Sequence, residues 1–530
     1  MSKAKALDRF LSNNDLPGPQ ELHELKVTLA SVSRHIDDVY KDLAGLERIR
    51  SLIRTICSPI RRMPTELLGR IFSMALEMPL DRRGRCDLIS FSLVCRAWRL
   101  ASLGARSLWS GVVISSCECF EHGFDEVDHM HDEEEYEKMV EWFARAGGTP
   151  KTLEYRLSGT SCHCSKGMRC TISHPMVERL IREGPPLARF SLQASSIGCL
   201  KSWSIFTELA STKVQAAWVS LHSFSLSFID SEDHLWDDDD GNTPSVFSLL
   251  PNFSSFDLRL PKRDMAFDER EDSLNAMIGI PDDVLGRIRM LSIALDWEGC
   301  QLFHILPRST SLTNLTINLA GSKLFTGPRG PLDPFPRSPI TLPNLRKFIL
   351  LKGDFGIFDI LRTPSLEILD VEVVGASVGS QAELERLRRF IEVSALSKVL
   401  RDLSIRGMVG DAGVVDLSLP VLSSLEVLEL DSPYVSSYYL GDPVEVSTQG
   451  HPRRRHPSLI QLRLMNIRRS EDTLVSELRF LENRKMGYTP CIIAIRFYEE
   501  PRFSEAELKV RAAKAIPNFA FVNVYPFSEL

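Results

Sequence analysis

The groups best suited to chemistry in this chain are sulfur and nitrogen donors. Cys162, His163, Cys164, Cys170 and His174 fall within thirteen residues in the stretch SCHCSKGMRCTISH. Four such groups can hold a zinc ion in a tetrahedron. The spacing argues against it, because one residue separates Cys162 from Cys164, whereas zinc-binding cysteine pairs are usually two to four apart. Cys117 and Cys119, in SSCECFEHG, are equally tight. The two pairs could converge on one ion. Reduced loop thiols are the reading adopted, with no metal and no cofactor expected.

Other candidate chemistry is thinner. In HMHDEEEYEKMVEW the carboxylates open a helix, where negative charge suits the N-terminal dipole. His129 and His131 stand two apart, the wrong spacing for sharing a helical face. The sequence holds no phosphate-cradling glycine loop, nucleophile elbow or metalloprotease helix. A non-catalytic protein is therefore expected. With 63 basic against 70 acidic residues the net charge is -7, which offers nucleic acid or an anionic membrane no electrostatic attraction. Nowhere do 18 apolar residues run uninterrupted, so no bilayer span is expected. Eleven cysteines without a signal-peptide pattern suit a reducing compartment, cytoplasmic or nuclear.

The elements that would carry any function begin with a polar leader, residues 1–19. From there to residue 57 the spacing predicts one long helix. Leu22, Leu25, Leu29, Val32, Ile36, Val39, Leu43 and Leu46 recur at alternating steps of three and four, a narrow coiled-coil-like stripe that Arg50 interrupts. The stripe could dock on the chain's own body or pair residues 22–46 with a second copy. Pro59 ends or turns this helix. Pro64 suits the first turn of the next, whose wide apolar face holds Leu67, Leu68, Ile71, Phe72, Ala75 and Leu76. After a charged loop, EMPLDRRGRC, a further helix is predicted over DLISFSLVCRAWRLASLG, with Asp87 as its cap. That helix is apolar nearly all round, so it must be covered on more than one side. Each Leu, Ile or Phe left in water forgoes about 1.5–3 kcal/mol, and only about fifty neighbouring residues are available as cover. Either the downstream chain or another protein must supply the rest.

Residues 58–112 resemble an F-box. The family pattern runs Leu-Pro-x-Glu-Leu/Ile-Leu, then Ile-Phe, then Val-Cys-basic-x-Trp, then Leu-Trp. Here Met63, Pro64, Glu66, Leu67, Leu68, Ile71, Phe72, Val94, Cys95, Arg96, Trp98, Leu108 and Trp109 occupy those places. Met63 stands where leucine is usual, a volume-conserving exchange. The lead-in SPIRRMPTELLGRIF and the later Trp142, Arg145 and Gly147 in EWFARAGGTPKTLEYRL resemble F-box proteins abundant in mushroom-forming fungi. The resemblance implies a three-helix F-box that docks on a Skp-type adaptor, and through it on a cullin. Pro64, Leu67, Leu68, Ile71, Val94, Cys95, Trp98 and Trp109 would form the adaptor face or its immediate support. Ordered Cys/His pairs are too few for a RING, so the chain is not expected to recruit a ubiquitin-conjugating enzyme by itself.

Residues 113–530 repeat a different pattern: apolar, two residues, apolar, one residue, apolar. It runs from Leu187/Phe190/Leu192 through Leu221/Phe224/Leu226, Phe253/Phe256/Leu258, Ile288/Leu291/Ile293 and Leu312/Leu315/Ile317. Leu345/Phe348/Leu350, Leu366/Leu369/Val371, Leu400/Leu403/Ile405, Leu425/Leu428/Leu430 and Leu459/Leu462/Leu464 continue it, with further copies near Ile492 and Phe519. The last two members alternate as strand residues do. Such units stack into a parallel sheet, so an irregular leucine-rich-repeat-like solenoid is expected. The Asn or Cys that usually follows each triplet is missing, with Ala320, Gly353, Val374, Met408, Pro433 and Ile467 in its place. Longer intervals leave room for helices, as in SQAELERLRRFIEVSALSKVL. An acidic loop around Asp237 to Asp240 and a basic one at Arg453 to Arg455 are read as solvated loops, where binding residues also often sit.

The fold class expected is thus α+β to α/β: a coiled-coil-like helix, a three-helix F-box and a repeat array on a parallel sheet. The expected function is a substrate receptor of an SCF-type ubiquitin ligase, binding an unidentified target protein through the repeats. The alternative is a scaffold that dimerises through the heptad helix without any ligase.

Overall fold

The computed structural model describes residues 12, 16–116, 129–157, 172–203, 205, 218–229, 245–263, 278–297, 300–320, 338–353, 355–372, 381–406, 422–431, 445–446, 452–453, 458–467, 492–497 and 522–525. Cys117, Cys119, Cys162, His163, Cys164 and Cys170 lie outside them, as do the loop at 237–240, most of the leader and Phe519. The chain divides into two units, Met1–Leu76 with Asp87–Ala105, and Glu77–Cys86 with Arg106–Leu530.

In the first unit α1 spans Pro19–Ile56. Proline at its first position needs no hydrogen-bond partner there, and the Gly18 N–H donates to the Glu21 carboxylate at 2.9 Å. None of its residues is buried. Next come α2, Thr65–Ala75, and α3, Arg82–Val94, within which the chain passes between the units. The helix α4, Arg96–Gly104, follows. The helix expected to begin at Asp87 differs in two ways. It begins at Arg82, because Asp81 is the cap: its side chain accepts from the Gly84 N–H at 2.7 Å and its carbonyl from the Arg85 N–H at 3.0 Å. It also breaks at Cys95, which is extended (φ -163°, ψ 173°), so α3 and α4 are separate helices. Gly69 lets α2 and α4 approach, since a methyl group there would lie 3.1 Å from Ala105 Cβ.

The second unit is built on a fourteen-stranded sheet whose spatial order follows the chain and whose neighbours all pair in parallel. Its strands are β1 Gly111–Ser115, β2 Thr152–Arg156, β3 Arg189–Ala194, β4 Ser223–Phe228 and β5 Ser255–Arg259. Then come β6 Met290–Ala294, β7 Asn314–Asn318, β8 Lys347–Leu351, β9 Ile368–Glu372 and β10 Asp402–Arg406. The last four are β11 Val427–Asp431, β12 Gln461–Ile467, β13 Ile492–Phe497 and β14 Val522–Tyr525. The sequence triplets fall in register: Phe190 opposes Phe224, then Phe256, Leu291, Leu315, Phe348, Leu369, Leu403, Leu428 and Leu462. From Leu187 to Leu430 every triplet member is buried. Two strands, β1 and β2, precede the first triplet and extend the same register through Val112 and Leu153.

The core lies on the triplet side. Phe224 stacks on Phe256 at 6.1 Å, and Phe358 touches Phe348 at 6.2 Å and Phe390 at 4.9 Å. Phe390 comes from a helix over Gln381–Val393, within the stretch expected to hold one. Helices among the strands thus cover the hydrophobic face, the usual arrangement for a parallel sheet. Among the described residues no helix is long and apolar enough to cross a membrane.

Candidate functional site

The three helices α2, α3 and α4 sort their apolar side chains unevenly. Leu68 and Phe72 are buried, and Phe72 gathers two rings around it: Phe91 and Trp98, each at 5.0 Å. Phe91 and Trp98 also meet edge to face at 5.9 Å. Trp98 is therefore a half-buried brace between α2, α3 and α4. The Arg99 side chain donates to the Ser92 carbonyl at 3.2 Å and ties the start of α4 to the end of α3.

The opposite side of the same helices is left uncovered. Leu67 is 49% exposed, Ile71 42% and Val94 61%. Met74, Ile89, Leu93, Leu100 and Leu103 are exposed as well, as are Pro64 and Cys95. Apolar side chains of that number on a few turns of helix are more than a solvated helix face ordinarily carries. Of the residues the sequence singled out, Pro64, Leu67, Ile71, Val94 and Cys95 meet solvent. Leu68 is buried, so any part it plays is support from beneath.

Trp109 belongs to the second unit and is buried there. Trp142 lies 4.5 Å from it and the Arg145 guanidinium sits 4.8 Å over its ring, a cation–π contact. The Trp142/Arg145/Gly147 segment thus covers the last tryptophan of the motif. Trp142 and Arg145 belong to a helix over His129–Arg145, and Gly147 just beyond its end is left-handed, φ 58°, which disfavours any side chain. Trp109 too is out of direct reach of a partner in the chain as folded.

The zinc ligands considered in sequence lie outside the described residues except for His174. Among the described residues no cluster of His, Cys, Asp and Glu is placed to hold a metal ion. Among the described residues Cys57, Cys86 and Cys95 are exposed and Cys199 is buried.

The sequence left recognition on the sheet to exposed positions without naming them. In the structure the residue between the last two members of each triplet points away from the core. Across the sheet these residues form one row: Ser191, Ser225, Asp257, Ser292, Thr316, Ile349, Asp370, Ser404, Glu429 and Arg463. The row is mostly hydroxylic at its start and charged toward its end. The signal was present in the sequence, since the spacer of each triplet is readable once the triplets are aligned.

Residues 60–115 match the F-box-like family model. No curated protein matches the chain. The segment matched is the one whose helices leave Leu67, Ile71 and Val94 in solvent. The chain therefore carries an F-box-like domain at residues 60–115, a module of protein–protein interaction.

Proposed function

We propose that this protein is the substrate-receptor subunit of an SCF-type cullin–RING ubiquitin ligase. The F-box-like domain docks on a Skp-type adaptor, which bridges to the cullin, and the C-terminal sheet holds a target protein. The observation that carries the reading is the uncovered apolar side of α2, α3 and α4, with Leu67, Ile71 and Val94 in solvent. Burying each such side chain is worth about 1.5–3 kcal/mol, so a partner that covers several gains enough for a stable complex. On this reading the long parallel sheet is an irregular leucine-rich-repeat-like solenoid. It contributes positioning, raising the local concentration of target lysines near the conjugating enzyme. The chain itself is non-catalytic and works in the cytoplasm or nucleus. The test is co-purification of the intact chain with a Skp-type adaptor, beside a Leu67→Asp/Ile71→Asp variant. Capture by the parent and loss in the variant support the reading; failure of the parent to bind overturns it.

A second reading is favoured by α1. Its stripe, Leu22 to Leu46, is exposed except at Leu25, which is half-buried. A helix with a heptad seam and no buried residue suits a coiled coil, and a second copy of the chain would supply the partner helix. Such a dimer is compatible with the receptor function, and without an adaptor it would make the chain a scaffold. Sedimentation at several concentrations separates monomer from dimer.

A further inference from the structure

The charge of the F-box-like helices runs against that of the chain. The whole protein carries a net charge of -7. Within the first unit, from Pro59 to Leu76 and from Asp87 to Ala105, Arg61, Arg62, Arg70, Arg96 and Arg99 stand against Glu66 and Asp87. All of these guanidiniums are exposed. Arg99 is engaged with the Ser92 carbonyl, but Arg61, Arg62, Arg70 and Arg96 make no hydrogen bond or ion pair among the described residues. Even Glu66, one turn before Arg70 on α2, does not pair with it.

These cations border the uncovered apolar side. On α2, Arg70 stands one turn after Leu67 and one turn before Met74, so the three share a side of the helix, with Ile71 beside them. On α4, Arg96 and Arg99 stand one turn before the exposed Leu100 and Leu103. Arg61 and Arg62 close the turn just ahead of Pro64. An apolar centre with a polar, arginine-bearing border is the anatomy of a protein–protein interface. A nucleic-acid backbone would engage the guanidiniums but leave Leu67, Ile71 and Met74 in water. Guanidiniums match carboxylates in shape as well as charge, and a surface of opposite sign relieves their mutual repulsion.

We propose that the partner covering this face is an acidic protein whose apolar groove is rimmed by carboxylates, and that Arg61, Arg62, Arg70 and Arg96 engage that rim. The apolar centre holds the complex together, and the arginines steer its formation and fix its orientation. The inference rests on the receptor reading, since it states the chemistry that the adaptor must present.

The test measures association of the intact chain with a purified Skp-type adaptor at several salt concentrations. An Arg61→Glu/Arg62→Glu/Arg70→Glu variant should associate about tenfold more slowly or worse at low salt, within the range that electrostatic steering supplies. Arg61→Lys/Arg62→Lys/Arg70→Lys should keep most of the parent's rate, because steering depends on charge. Raising salt from about 50 mM to about 0.5 M should slow the parent and narrow the gap. Arg189→Glu/Arg289→Glu/Arg401→Glu changes the net charge equally on exposed arginines of the second unit and should have little effect. Thermal melting checks that each variant folds, which the exposure of these side chains predicts. An adaptor captured at a rate indifferent to salt and to the first variant overturns this inference and leaves the receptor reading standing. An equal loss in the second-unit variant also overturns it, because the effect is then one of net charge. Retention of the parent on anionic phospholipid vesicles at about 0.15 M salt, lost in the first variant, gives the arginines to a membrane and overturns it too. No capture of the adaptor at any salt overturns the receptor reading and this inference together.

Discussion

Leu67 and Leu68 are neighbours in α2 and point to opposite fates: Leu68 is fully buried, whereas half of Leu67 lies in solvent. Adjacent helical residues are about 100° apart around the axis, so one helix presents both a core face and a free face. Ile71, one turn beyond Leu67, shares the free side, and Phe72, one turn beyond Leu68, shares the core. This division turns the two leucines into separate experiments.

Charge on the free face should leave the fold intact. Leu67→Asp with Ile71→Asp is expected to melt within a few degrees of the parent, as surface substitutions do. The same variant should lose capture by a Skp-type adaptor. Leu68→Ala should instead cost about 2–5 kcal/mol of stability, because it opens a cavity under the helix. Urea denaturation followed by circular dichroism, alongside the capture assay, reads both outcomes.

Trp109 should behave as a core residue of the second unit. Trp109→Ala removes a ring packed on Trp142 and under Arg145, and is expected to cost about 3–5 kcal/mol. Arg145→Ala removes the cation above the ring and an exposed ion pair with Glu141 at 2.9 Å, and should cost about 0.5–2 kcal/mol. Denaturation midpoints of the two variants give the comparison.

The heptad stripe predicts a concentration-dependent dimer. Val32→Asp with Ile36→Asp places charge in the middle of the seam and should return the chain to a monomer in sedimentation equilibrium. Neither residue is buried in the single chain, so the circular dichroism of the sheet should not change. A monomeric parent at high concentration would count against the coiled-coil reading.

Asp402 carries a pH prediction whose sign is the reverse of the usual carboxylate. Its folded value is raised above the ordinary 3.8, chiefly by burial. Between the unfolded and folded values the folded chain binds more protons, so stability falls as pH rises through that window, and the penalty is complete above it. Asp402→Asn removes the ionisation. At neutral pH it should melt no lower than the parent, and its melting temperature should lack the decline that begins just above pH 3.8.

The sequence read some of this directly. The alternation in each triplet requires a strand with one greasy side, and the repetition requires those strands to lie side by side. The heptads of α1 and the spacing of Pro64, Leu67, Leu68, Ile71, Val94, Cys95 and Trp98 were equally plain, because local periodicity and residue type carry that information. Helix limits between Leu76 and Gly104 were less legible: Asp87 was the expected cap, and Asp81 takes that place through the Gly84 N–H.

What no local pattern could decide was which apolar side chains end inside. Leu67 and Leu68 are the same residue type on the same helix, and only the approach of α4 at Gly69 together with the Phe72, Phe91 and Trp98 cluster settles their difference. Trp109 is hidden by residues more than thirty positions away. Ser404 comes to lie between Asp370 and Glu429 only because three strands distant in sequence pair in register. Sequence fixes the period of burial along each element, through backbone geometry. Tertiary packing alone decides which groups meet across elements, because those contacts depend on distances that the chain's order does not contain.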